Sequence, residues 1–108
     1  MEELLEWLRD QNGGVATYID LQQRAARLAG AKPEHAALFI LLAGLAGRFV
    51  ATYDGMPLSV DVARSAFDKT LVLVEGAAQV MSGSAEDRID ILNTIARTEF
   101  GDGISRAP

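Results

Sequence analysis

The sequence predicts an all-α fold, a single-domain bundle of about five helices around a central apolar helix over residues 33–53. Apolar residues recur at spacings of three and four through most of the chain, without the sustained alternation a half-buried strand requires. Glycine, proline and serine interrupt that rhythm at intervals, and each interruption is followed by a fresh helical stretch. The segment Ala36 to Gly47 carries no charge at all, the pattern of a helix surrounded by others.

The first helix is expected over Glu2 to Gln11. Leu4, Leu5, Trp7 and Leu8 form its apolar side, and Glu2 and Glu3 stand where the helix dipole favours negative charge. Asn12, Gly13 and Gly14 end it, because glycine accepts the positive φ of a helix C-terminus. Trp7 is expected to close over the bundle as a lid, the other reading being an exposed anchor for a partner. Thr17 with Asp20 three residues on resembles a capping box, so the second helix is placed from Tyr18 to Ala29 and closed by Gly30. Tyr18, Leu21, Ala25 and Leu28 are its inward residues, with Gln22, Gln23, Arg24 and Arg27 toward water.

Pro33 suits the first turn of a third helix, where its missing N–H leaves nothing unpaired, and the pattern runs on to Tyr53. After the turn Asp54 to Pro57, Ser59 caps a fourth helix reaching toward Met81. Its inward set is read as Val60, Ala63, Phe67, Leu71, Val74, Ala78 and Met81; the helical flanks outweigh the β-prone run Leu71 to Val74. Ser84 with Asp87 caps a fifth helix through about Phe100, with Ile89, Leu92, Ile95 and Ala96 inward. Residues 1–101 thus form one helical domain, and Asp102 to Pro108 have little to bury and are expected to fray.

Composition narrows the chemistry. At 108 residues, 49% apolar and 23% charged, the chain can bury a core without staples, and it has no cysteine for disulfides, thiolate catalysis or zinc-thiolate sites. A net charge of -5 disfavours nucleic acid as a partner. The acidic start opposes a signal peptide, and the uncharged stretch is shorter than the roughly 18 residues that suggest a membrane span. A soluble, cytoplasmic protein is the default expectation.

No motif assembles a catalytic set, and no cofactor or metal is expected. His35 is the only histidine, and no cysteine, serine or carboxylate is tied to it by spacing. Glu2, Glu3 and Glu6 match the E-E-x-x-E half of the magnesium motif of all-α nucleoside triphosphate pyrophosphatases. Their E-x-x-D half is absent, so that resemblance stops there. Ala25 to Ala31, followed by Pro33, resembles the first helix and turn of helix-turn-helix proteins, which would imply a nucleic-acid binder. The following residues offer only Glu34 and His35 to base edges before the apolar run begins.

Two surfaces stand out. Ala43, Gly47 and Ala51, four apart, make a stripe of small residues against which another helix can approach closely, either the fourth helix or one from a second copy. Together with Phe67, Leu71 and Val74 they are the expected interface of a homodimer. Arg24, Arg27, Lys32 and Arg48 are a possible site for an anion or a partner's carboxylates. The sequence therefore leads to a non-catalytic protein–protein interaction module, such as an adaptor, inhibitor, immunity or small regulatory protein. The alternative is a small ligand-binding bundle or enzyme with a pocket near Arg24, Arg27, His35 and Arg48.

Overall fold

A computed structural model of the chain describes residues 1–100, and the expected tail lies outside them. Five α-helices follow one another: α1 (Glu2–Arg9), α2 (Val15–Ala31), α3 (Ala36–Tyr53), α4 (Val60–Val80) and α5 (Ala85–Arg97). A single 3₁₀ turn, Pro33–His35, leads into α3. The described residues contain no strand. The all-α bundle is thus the fold of this chain, about 38 × 30 × 20 Å, or two helices thick in its shortest direction.

The organising contact is the hairpin of α2 and α3, which lie against each other along their lengths. The Tyr18 ring stacks on Phe49 with centroids 3.7 Å apart. Near the middle Gln22 lies against Gly47, so closely that a Cβ there would meet the Gln22 amide nitrogen at 2.9 Å. Leu21, Ala25, Leu38, Leu42, Leu45 and Ala46 fill the seam and are fully buried. α5 runs beside both α3 and α4, and α1 lies across α4 and α2. Phe100 folds back beyond α5 and sets its ring edge-on to both Tyr18 and Phe49, centroids 5.9 and 5.2 Å away. Such edge contacts are favoured by the ring quadrupoles.

α4 reaches the hairpin through side chains. The Tyr18 hydroxyl lies 3.0 Å from Thr70 Oγ1, and Thr70 in turn donates to the Ala66 carbonyl at 2.9 Å. Since the threonine's one proton is committed to that carbonyl, Tyr18 is the donor of the pair. Burial raises the Tyr18 pKa to about 12, with the Thr70 hydrogen bond acting in the opposite direction.

Several boundaries differ from expectation for identifiable reasons. α2 begins at Val15, and Thr17 lies inside its first turn. There the Thr17 hydroxyl accepts from the Gly13 N–H and donates to Asn12 Oδ1, so Asn12 is the residue that organises this corner. Gly30 does not close α2, which continues to Ala31 and stops where Lys32 turns to φ -128°, ψ 75° ahead of Pro33. The caps of Ser59 and Ser84 form as read, accepting from the Val62 and Asp87 N–H groups at 3.1 Å.

The inward face of α4 is also rotated from the expected set. Ala66, Thr70, Leu73, Val74, Ala77 and Met81 are buried; Val60 is exposed, and Phe67 and Leu71 are only partly covered. Thr70 explains the turn: a polar residue whose hydroxyl is satisfied by Ala66 and Tyr18 can occupy a core position. On α5 only Ile95 is fully enclosed; Ile89 and Ala96 lie open to solvent, contrary to the expected core set.

Candidate functional site

The most apolar helix of the chain is not enclosed. Between Ala36 and Tyr53 the sole ionisable groups are Arg48 and the phenol of Tyr53. The residues of α3 that face solvent are Ala37, Ile40, Gly44 and Ala51, with Ile40 57% exposed. Three of them are seven apart, a repeat that stays on one side of a helix over two turns. From Ala37 to Ala51 this face runs for about 21 Å.

Arg48 stands on the α5 edge of the same face, and its Nη1 lies about 3.6 Å from where a Cβ on Gly44 would stand. Its Nη2 donates to the carbonyls of Ile95 (3.2 Å) and Thr98 (3.1 Å), satisfying the C-terminal end of α5, where a cation is also favoured by the dipole. Those two carbonyls hold the guanidinium at that edge. The apolar surface then continues onto α5, where Ile89, 55% exposed, lines a cleft of about 440 Å³ together with Ala37, Leu38 and Leu92. Glu34, His35 and Arg88 border that cleft, and His35 Nδ1 is buried there without a hydrogen-bond partner.

The residues singled out from the sequence are distributed differently from expectation. Ala43 packs on the core, Gly47 abuts Gln22 of α2, and only Ala51 is exposed, so the four-residue stripe winds from the α2 seam out to solvent. The partner of the internal seam is therefore α2 and not α4. Val74 is fully buried in the chain's own core, while Phe67 and Leu71 lean on that core from its edge. The α4 share of the expected intersubunit surface is thus largely used within one chain. The open set Ala37, Ile40, Gly44 and Ile89 does not figure in the sequence-based expectation. A seven-residue spacing of small residues is the signal that could have found it.

The four basic residues do not form one site. Arg24 and Arg27 line a cleft with Glu3 and Leu4, His35 belongs to the cleft beside α5, and Arg48 caps α5. Among the described residues, the cleft of Arg24 and Arg27 is distinct from that of His35, and Arg48 stands at the end of α5. Lys32, at the end of α2, is exposed. Trp7 is half-buried against the core with the Arg24 guanidinium 4.3 Å above its ring, the lid arrangement expected.

The helix-turn-helix geometry is absent as well. Such motifs cross their two helices at roughly 90–120°, whereas α2 and α3 form a hairpin in contact along its length. The helix that would enter a groove is instead committed to the core by Leu38, Phe39 and Leu42. Among the described residues no group of three or more histidine or acidic side chains is placed to hold a metal ion; Glu2, Glu3 and Glu6 are spread along an exposed face of α1.

One helical stretch, Pro33–Tyr53, meets the length and composition of a membrane span, with a mean hydropathy of 1.7. The core helix of a soluble bundle meets the same requirement. Here one side of the stretch is sealed by α2. Comparison with protein-family models, curated proteins and solved structures finds no match to the chain. What the fold and the open surface define together is a small helical bundle with an exposed helix face of Ala37, Ile40, Gly44 and Ala51, edged by Arg48.

Proposed function

We propose that this protein is a non-catalytic interaction module that associates with a second copy of itself through the open face of α3, flanked by Ile89 of α5. The observation that carries the reading is that the four residues of α3 open to solvent, Ala37, Ile40, Gly44 and Ala51, are all apolar or glycine, with Arg48 at their edge. A surface helix of a self-sufficient bundle ordinarily carries its charged residues on that side. Leaving it apolar forfeits about 25 cal/mol for every Å² that a partner would remove from water. The small side chains of Ala37 and Ala51 let a second helix approach at close range, where dispersion contacts accumulate. A two-fold arrangement is supported by economy, since one patch then serves both subunits.

Light scattering at increasing concentration tests this. The expected mass approaches twice 11.6 kDa. Replacing Ile40 by Glu puts a charge at the centre of the contact and is expected to return the protein to monomer with its helical content unchanged, since Ile40 contributes little to the chain's own core. A wild-type protein that stays monomeric to about 1 mM, the weak end of specific affinities, would remove the proposal.

A further inference from the structure

A second surface, independent of the α3 face, has the composition of a small-molecule site. The N-terminal turn of α1 and the C-terminal half of α2 diverge around a cleft of about 360 Å³, lined by Glu3, Leu4, Arg24, Arg27, Leu28 and Ala31. That volume lies at the lower end of the range for ligand pockets. Its two guanidiniums are three residues apart on α2 and therefore project from the same side of the helix. Neither Arg24 nor Arg27 is ion-paired among the described residues, whereas Arg9 has found Glu75 at 3.0 Å.

Arg24 is also held in place. Its guanidinium lies 4.3 Å above the Trp7 ring, a contact that fixes a long side chain while leaving its N–H groups free to donate. Leu4, Leu28 and Ala31 supply an apolar wall beside the paired donors. Glu3 stands on the same rim and repels a second negative charge, so the cleft suits a single carboxylate better than a phosphate or a polyanion.

We propose that this cleft binds an organic monocarboxylate with an apolar body, the carboxylate bridging Arg24 and Arg27 and the body lying along Leu4, Leu28 and Ala31. Planar carboxylates match guanidinium donors in geometry and in charge. The net charge of -5 does not oppose this, because the field at the cleft is set by its own two cations within a Debye length of roughly 10 Å.

Trp7 is the chain's only tryptophan and reports on the site directly. Octanoate titrated into the full-length protein is expected to change Trp7 emission saturably, with a Kd of about 1 mM or tighter. Octanol and inorganic phosphate are each expected to bind at least about tenfold more weakly, the first for want of charge and the second because of Glu3. The double variant R24Q/R27Q is expected to lose about tenfold or more in octanoate affinity. Because Arg24 itself touches the indole, the variant is measured by calorimetry as well, with its folding checked by circular dichroism. Non-saturable octanoate binding, equal binding of octanol or phosphate, or an unchanged affinity in a folded R24Q/R27Q would each overturn the proposal. None of these results depends on oligomeric state, so the α3 face is tested separately.

Discussion

Replacing Tyr18 by Phe is expected to destabilise the protein at neutral pH and to make it the more alkali-resistant of the two. The Tyr18 hydroxyl is fully buried and donates to Thr70, which keeps its own bond to the Ala66 carbonyl when the tyrosine oxygen is removed. The loss at pH 7 is therefore that of one hydrogen bond, about 1 kcal/mol. The folded pKa of Tyr18 is raised from 10.0 to about 12 by burial. Its contribution to stability is intact below pH 10 and is lost as pH rises from 10 through 12, because the unfolded chain releases the proton first. At pH 11 this tyrosine is about nine-tenths ionised when unfolded and about one-tenth ionised when folded, a difference of about 1.4 kcal/mol against the native state. The Tyr18→Phe variant has no such loss, so the two stability curves meet near pH 11. Urea unfolding followed by far-UV circular dichroism at pH 7, 9, 10 and 11 measures the gap directly. Every other ionisable group is common to both proteins and cancels in the difference. A gap that stays constant from pH 7 to pH 11 would show that the Tyr18 hydroxyl is hydrated in the native state and that the core is not sealed around it.

Other expectations concern the backbone and the proposed interface. Gly13→Ala is expected to cost about 2 kcal/mol or more, because Gly13 sits at φ +82° and an added Cβ would come within 2.9 Å of the Phe67 ring; thermal denaturation reads the loss. Gly30→Ala is expected to act in the opposite direction, gaining about 0.5–1 kcal/mol, since Gly30 lies inside α2 and an added methyl meets nothing within 4 Å. An unchanged or lowered melting temperature for that variant would show that α2 frays before Gly30. Self-association is expected to tighten as salt rises from about 0.05 to 0.5 M. Each copy carries a charge of -5 while the exposed α3 residues of the contact are themselves uncharged, so screening removes more repulsion than attraction. Sedimentation equilibrium at the two salt concentrations checks this, and weaker association at high salt would point to an ionic contact elsewhere.

The number, order and approximate limits of the helices are legible because local signals agree with one another. Ser59 and Ser84 have few competing readings as N-caps, and the uncharged run after Pro33 has no alternative to a largely covered helix. Where structure and expectation part, a tertiary contact decides the outcome. Thr17 has the spacing to Asp20 of a cap, but Asn12 turns back to bond its hydroxyl and draws the start of α2 upstream. Hydrophobicity alone sets the expected inward face of α4. A threonine displaces that face because Tyr18, distant in sequence, supplies its hydrogen-bond partner. Gly30 has a helix-ending residue type but nothing in its surroundings that demands positive φ, and the helix runs through it.

The open face of α3 is harder to read than the helix that bears it, and the reason lies in how a helix with no charged side must be interpreted. An apolar run specifies that surroundings exist, without specifying whether they come from the same chain. The stripe Ala43, Gly47 and Ala51 is real, but its residues advance by about 400° for every four, so it drifts round the helix by about 40° at each step. It therefore begins on the core at Ala43, meets α2 at Gly47 and ends in solvent at Ala51. Ala37, Gly44 and Ala51, seven apart, drift by only about 20° per step and stay in the gap between α2 and α5. Arg48 borders that gap with its Nη1 beside Gly44, while the two carbonyls at the end of α5 take its Nη2. Where the Arg48 charge sits on that surface thus depends on where α5 ends, a long-range fact that helical periodicity in α3 cannot contain.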